Sequence, residues 1–271
     1  MTLYVERLGT GPDLVLLHGW GMNGAVFDGI KTELSKQFRL HIIDLPGFGY
    51  SADLGIEDPD LSSWLDLMLK ALPERAHLLG WSLGGMLAIR LAFLYPERVL
   101  SLITVASSPR FVAEPEWPGV KPEVLTSFSA QLQADTHKTI ERFLAIQALG
   151  SASARDDVRI LRERLQSRPA PLHQALRMGL SLLQELDLRA ELTTLDIPSL
   201  HLFGRLDGLV PARVLDVWPR ASASNAVLHL FVDSSHAPFI TETVEFIRVV
   251  SEFIATRSRN NLPYTVALVN N

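Results

Sequence analysis

Ser82 stands in Gly80-Trp81-Ser82-Leu83-Gly84, a G-x-S-x-G pattern. A serine hydroxyl is a weak nucleophile until a base takes its proton and an acid orients that base. His77-Leu78-Leu79 reads as a strand entering the motif, and Leu83–Leu94 as a helix leaving it. The serine therefore falls on a sharp strand-to-helix turn. Glycines two before and two after it let neighbouring backbone approach without β-carbon clashes. The helix N-terminus directs its free N–H groups at charge developing beside the hydroxyl. A plain tight turn is the alternative, and the flanking strand and helix weigh against it.

The base and the acid are sought downstream. Ser199–Phe203 reads as a strand with Gly204-Arg205-Leu206-Asp207-Gly208 directly after it, and Val227–Phe231 as the next, followed by Val232-Asp233-Ser234-Ser235-His236. Asp207 and His236 thus end consecutive late strands, in the chain order Ser, acid, His expected of a strand-turn-helix nucleophile. His41, His77, His201 and His229 lie inside strand-like runs, where packed, hydrogen-bonded roles are expected. His137 and His173 belong to a helical stretch, and Asp216 to a short helix. Asp44 ends a strand that precedes the nucleophile, which points to a structural role.

A tetrahedral oxyanion needs two backbone donors. The N–H of Leu83, next after the nucleophile, is the first. The second is assigned to Trp20 in the loop Leu17-His18-Gly19-Trp20-Gly21, which follows the strand Asp13–Leu17; the alternative is that His18-Gly19 only shapes the turn. Trp20 and Trp81 then flank the serine as an apolar wall suited to an acyl chain.

The elements that must position these groups alternate. Asp13–Leu17, Arg39–Ile43, His77–Leu79 and Val99–Val105 are short, nearly continuous apolar runs, as expected of parallel strands covered on both faces. Helix-like stretches at Ala25–Gln37, Leu61–Ala71 and Leu83–Leu94 separate them. That alternation signals a parallel α/β sheet. After Pro109 it breaks into helices at Pro122–Gln133, Thr136–Ala148, Ala152–Gln166 and Leu172–Gln184. It resumes with Ser199–Phe203, Ala212–Val217, Val227–Phe231 and a helix at Thr243–Ala255. An α/β core at residues 1–110 and 189–256 with a helical insertion at 111–188 accounts for this, leaving 257–271 as a tail; Tyr264–Val269 has strand-forming character, but a frayed terminus is the preferred reading.

Of 271 residues 47% are hydrophobic and 20% charged, with net charge −5 and no cysteine. Disulfides, thiolate metal sites and cysteine nucleophiles are thereby excluded. The acidic balance disfavours nucleic acid. No apolar run reaches the ~18 residues of a membrane span, and the first residues do not read as a signal peptide, so a cytoplasmic protein is expected. No metal-binding motif and no dinucleotide loop is present: Gly47-Phe48-Gly49 lacks the helix-opening third glycine. No cofactor is expected.

The stretches LVLLHGWGMN, DLPGFGYS, LLGWSLGGM, YPERV, EWPGVKPEVL, ERFLAIQALG, LDGLVP and SHAPF resemble the α/β-hydrolase family across nearly all of residues 1–256. More narrowly, they resemble carboxylesterases of biotin synthesis that release methanol from a pimeloyl methyl ester held on acyl carrier protein. That resemblance implies a mostly parallel sheet flanked by helices, a helical lid at 111–188, and acyl-pocket positions at Phe143 and Gln147 beside Trp20, Trp81, Ser82, Leu83 and His236. It also implies carrier docking by Lys138, Arg142, Arg155 and Arg159, with Lys138 a departure if the family carries Arg there, because Lys loses bidentate geometry. Charge points the same way: residues 130–180 carry eight Lys+Arg against five Asp+Glu, net +3 on a chain whose remainder is −8. An acidic partner would offset the i,i+4 repulsion of Lys138/Arg142 and Arg155/Arg159. A solvated face neutralised by Glu141 and Glu163 is the plainer reading of the same charges. A monomer is expected. A generalist short-chain esterase and a non-catalytic hydrolase-fold binding protein remain open beside the carrier-linked reading.

Overall fold

Seven strands form one sheet in the computed structural model, which describes residues 2–54, 60–218 and 226–259. They are β1 (Val5–Leu8), β2 (Asp13–Leu17), β3 (Arg39–Ile43), β4 (Ala76–Trp81), β5 (Val99–Val105), β6 (Ser199–Gly204) and β7 (Ala226–Phe231). The spatial order is β1-β3-β2-β4-β5-β6-β7. Only β1 runs antiparallel, against β3; every other pairing is parallel. β4 and β6 are buried along their whole lengths, so apolar side chains fill both faces and the polar residues among them, His77, Ser199 and His201, are hydrogen-bonded. Register aligns Leu17 with Gly80, Trp81 with Val105, and Gly204 with Phe231. The carboxyl ends of β2, β4, β6 and β7 therefore open on one edge, and His18–Trp20, Ser82, Asp207 and His236 follow from it.

Helices cover the sheet. α1 (Asp28–Leu34) and α2 (Leu61–Ala71) follow β2 and β3; α3 (Leu83–Leu94) leaves the nucleophile turn. Nine of the twelve α3 residues are buried, so it is a core element rather than an amphipathic surface helix. Between β5 and β6 lie α4 (Pro122–Ala134), α5 (Thr136–Gln147), α6 (Ala154–Gln166), α7 (His173–Glu185) and α8 (Arg189–Thr194). Pro122 opens α4 at a position where a missing N–H costs nothing, and the Asp135 carboxylate caps α5 by accepting from Lys138 N at 3.0 Å. α4 packs on α5 and α7, α5 on α6, and α7 on α3. After β7 come α9 (Pro238–Thr241) and α10 (Thr243–Arg259).

Several boundaries differ from the sequence reading. The expected helix Ala25–Gln37 is a 3-10 turn at Gly24–Phe27, started by Asn23 accepting from Ala25 N, followed by α1, which stops at Leu34 so that the chain can turn back into β3. The stretch after Pro211 is 3-10 rather than α-helical. α10 continues four residues past Ala255, into the segment read as a tail; Tyr264–Val269 lies outside the described residues.

The end of α6 is riveted to the sheet. Arg168, buried between the rings of Tyr4 and Tyr50, donates to Asp44 at 2.9 Å and to Glu6 at 2.5 Å. Asn23 donates to Leu165 O at 3.0 Å.

Candidate active site

β4 ends at Trp81, and the next residue turns the chain directly into α3. Ser82 pays for that turn with φ +55°, ψ −118°, outside the ordinary wells of an L-residue. Its N–H is held by Val105 O at 2.9 Å, and its carbonyl accepts from Ser107 Oγ at 2.7 Å. The flanking glycines are needed for space: a β-carbon on Gly84 would stand 2.3 Å from Leu17 O, and one on Gly80 2.2 Å from Gly84 O.

The structure brings the three residues together. His236 Nε2 lies 2.9 Å from Ser82 Oγ, and His236 Nδ1 lies 2.7 Å from Asp207 Oδ2. The other oxygen, Oδ1, accepts from Leu209 N at 2.8 Å and Val210 N at 3.0 Å, which fixes the carboxylate and leaves Oδ2 for the ring. With Nδ1–H donating to Asp207, Nε2 carries the lone pair facing the serine hydroxyl. Trp81 Nε1 donates to His236 O at 2.7 Å. All three residues are buried.

The loop after β2 lies over the serine: a β-carbon on Gly19 would stand 3.1 Å from Ser82 Cβ. Leu83 begins α3, and among the described residues neither its N–H nor that of Trp20 has an acceptor in the protein. His18 shapes this loop. Its Nδ1 donates to Gly19 O at 2.8 Å, its Nε2 accepts from Leu45 N at 3.0 Å, and burial pushes it down to about 4, so it is neutral.

The two indoles face different neighbours. Trp20 meets Phe143 edge-on at 4.7 Å and donates to Leu176 O, so it belongs to the side formed by α5 and α7. Trp81 packs against His236 and Phe239, and supports the histidine from behind. The expected apolar wall is thus divided, with Trp81 serving the imidazole. Phe143 also meets Phe128 edge-on, with ring centroids 5.7 Å apart. One turn along α5, Gln147 is buried with both amide atoms lacking a partner among the described residues, while its carbonyl accepts from His236 N at 3.0 Å.

The remaining histidines and acids are elsewhere. His77 bonds Ser101 Oγ at 2.8 Å and His201 bonds Thr104 Oγ1 at 2.7 Å; burial pushes them down to about 4 and about 3. His41 pairs with Asp13. Asp44 is saturated by Gly24 N, Tyr50 N and Arg168. Asp216 is exposed.

On the helical face the basic residues are unequal. Lys138 is paired with Asp135, Arg142 reaches Gln131 and lies over the Phe128 ring, and Arg159 bridges Asp156 and Glu163. Arg162 pairs with Glu141. Arg155 is exposed and has no ion-pair partner among the described residues. No cluster of three or more His, Asp or Glu able to hold a metal ion occurs among the described residues, and none of the described helices is long and apolar enough to cross a membrane.

The alpha/beta hydrolase fold family matches residues 12–243. A pimeloyl-[acyl-carrier protein] methyl ester esterase of Aeromonas hydrophila is 52% identical over 254 residues, covering 94% of this chain and 100% of that protein. The enzyme of the same name from Vibrio cholerae is 49% identical over 258 residues, covering 95% and 99%. Among solved structures, an esterase from Exiguobacterium antarcticum superposes with TM-score 0.79 at 23% identity, over 93% of this chain and 95% of that one. A thermophilic esterase from Thermogutta terrifontis gives 0.80 at 21%, over 94% and 93%. The solved structures share the fold, and the two relatives share about half of their residues along nearly the whole chain. With the family match spanning most of its length, this chain belongs to the α/β-hydrolase family.

Proposed function

We propose that the chain is a serine carboxylesterase that hydrolyses the methyl ester of a pimeloyl group carried on acyl carrier protein, giving the carrier-bound free acid and methanol. The observation that carries this reading is the unbroken line of hydrogen bonds from Asp207 through His236 to Ser82. The relatives named above act, by name, on that ester.

In the first half-reaction His236 Nε2 takes the proton of Ser82 as Oγ attacks the ester carbonyl. The N–H groups of Leu83 and Trp20 hold the oxyanion of the tetrahedral intermediate. The intermediate collapses by breaking the bond to the methoxy oxygen, which leaves as methanol with the proton from His236. In the second half-reaction the same nitrogen activates water, which attacks the acyl-serine; Ser82 regains its proton and the acid is released. Asp207 keeps the imidazole in the productive tautomer and stabilises its charged form.

The helices α4–α7 form the lid in this reading. Phe143 packs beside the acyl chain, and the unpartnered amide of Gln147 supplies polar contact at the reacting end. Lys138, Arg142, Arg155 and Arg159 present positive charge to the acidic carrier. The ion pairs that hold Arg159 and Lys138 are solvent-exposed, so exchanging them for a partner's carboxylates costs little. Those same pairs favour the second reading, a generalist acting on small soluble esters.

The deciding experiment compares turnover of the carrier-linked pimeloyl methyl ester with that of a free methyl ester of the same chain length. A carrier-linked substrate preferred in kcat/KM supports the first reading. Equal values leave the generalist.

A further inference from the structure

His236 occupies a loop that must be held still, yet part of what holds it lies outside the sheet. Its own N–H donates to Gln147 O, and the neighbouring Ser235 hydroxyl donates to Leu149 O at 3.1 Å. Gln147 is the last residue of α5, and Leu149 lies just past it, on an irregular connection in which Gly150 adopts φ +92°. A segment of that kind has no helix or ladder of its own to fix its carbonyls.

One buried side chain gathers it. Asp157, in the first turn of α6 and 5% exposed, accepts from Ser151 Oγ at 3.0 Å and from Ser153 Oγ at 3.0 Å on each oxygen. Ser151 Oγ in turn receives Ser153 N at 3.1 Å. The same carboxylate is reached, at the longer distance of 3.3 Å, by Thr241 Oγ1 from α9, the helix that follows His236. A carboxylate held out of water is costly unless its lone pairs are met, so these hydroxyls and the carboxylate hold one another in a single arrangement. The loop is braced as well by Trp81 Nε1, at the end of β4, on His236 O and by Glu242, just past α9, accepting from Ser234 Oγ at 2.5 Å.

We propose that Asp157 is a positioning residue for His236: by clasping Ser151 and Ser153 it fixes the 147–153 connection whose carbonyls orient the histidine loop. The inference rests on His236 being the general base. It makes the start of α6 part of the apparatus that aligns the base, in addition to whatever covering role the helices have. The clasp acts through hydrogen-bond acceptance, so an uncharged acceptor of the same shape should serve. Loosening it lets the imidazole wander from the 2.9 Å approach to Ser82 Oγ, and misplacement of a catalytic group by an ångström costs up to about 100-fold in rate.

The test uses the full chain and a p-nitrophenyl ester of a short acid, with active sites counted by fluorophosphonate titration so that kcat refers to competent protein only. Asp157→Ala is expected to lower kcat per titrated site about tenfold with KM within about twofold. Asp157→Asn is expected to recover most of the loss, because Oδ1 still accepts and Nδ2 faces hydroxyl oxygens. Should Asp157→Ala prove too unstable to titrate, Ser151→Ala, which removes one strand of the clasp, is expected to lower kcat per site by a few-fold. Parental kcat per site in Asp157→Ala, or in Ser151→Ala where it replaces that variant, overturns the proposal, as does an Asp157→Asn no better than Ala. Ser82→Ala is measured alongside: if it stays active, the reading of the triad has failed; if it is dead while the Asp157 variants are parental, only this inference has.

Discussion

Gly179 of α7 lies against Trp20 so closely that a β-carbon there would stand 2.7 Å from Trp20 Cδ1 and 3.1 Å from Leu83 Cδ2. The two residues it would press are those whose N–H groups are assigned to the oxyanion. In an isolated helix Gly→Ala stabilises by roughly 0.5–1 kcal/mol, but overpacking a filled site costs about 1–3 kcal/mol. Gly179→Ala is therefore expected to lower kcat on a small ester about tenfold with only a modest change in Tm, since the strain falls on the oxyanion loop. Parental kcat would show that Trp20 moves aside without consequence.

Ser82→Ala should remove several orders of magnitude from kcat and abolish labelling by a fluorophosphonate. Asp207→Asn is expected to cost about 10²–10⁴-fold. The carboxamide can still accept from Leu209 N and Val210 N through its oxygen, and then presents Nδ2 to His236 Nδ1 and reverses the tautomer. Steady-state kinetics on one soluble ester checks both; a D207N enzyme within threefold of the parent would remove Asp207 from the triad.

Ionic strength separates the two readings of the basic helices. Opposite charges on an exposed face steer encounter and are screened over about 8 Å at 0.15 M salt. Raising salt from about 0.05 to 0.5 M is expected to lower kcat/KM steeply for the carrier-linked ester and to leave a small ester nearly unchanged. Parallel salt curves would reduce Arg155 and its neighbours to a solvated surface.

Three buried histidines set an acid limit on stability. Burial pushes His18 and His77 down to about 4 and His201 down to about 3, from the ordinary 6.5. The unfolded chain therefore takes up protons first as pH falls, and the folded state follows only near 3–4. Stability is full above about pH 6.5 and is lost as pH drops toward 4, at up to about 1.4 kcal/mol per unit for each histidine. Thermal unfolding followed from pH 7.5 to 5 should show Tm falling, and His201→Gln should flatten that slope in part, since His18, His77 and the half-buried His229 are lowered as well. A Tm independent of pH over this range would contradict the neutral, buried state of these rings.

Much of this site was legible because its parts announce themselves locally. The turn at Ser82 is written in its flanking glycines, and Asp207 and His236 follow runs so apolar that their strand character is unambiguous. Other parts had no local signal. β1 is four residues, Val-Glu-Arg-Leu, too short and too charged to read as a strand, and it forms only because β3 offers an edge. Arg168 counts in sequence as one more positive charge on a basic insertion, yet it is buried against Asp44 and Glu6, partners more than a hundred residues away. Asp157 looks like half of an Asp-Asp pair on a solvated helix face. Its burial depends on hydroxyls from two other segments, and no periodicity within α6 reveals that. The pairing of Arg159 with Glu163 was visible in its i,i+4 spacing, whereas the second carboxylate on it, Asp156, was not singled out.

Ser82 is 1% exposed and His236 fully buried, under a roof to which α5 contributes through Gln147 and Phe143, α7 through Gly179, and the loop after β2 through Gly19 and Trp20. So little of the hydroxyl faces solvent there that a breathing motion is expected to admit the acyl group and another to let the acid out. Transient excursions of this kind are damped by solvent friction, whereas bond-making at Ser82 is not. A viscogen such as sucrose is thus expected to slow this esterase in proportion to the share of its cycle spent waiting for the roof to part.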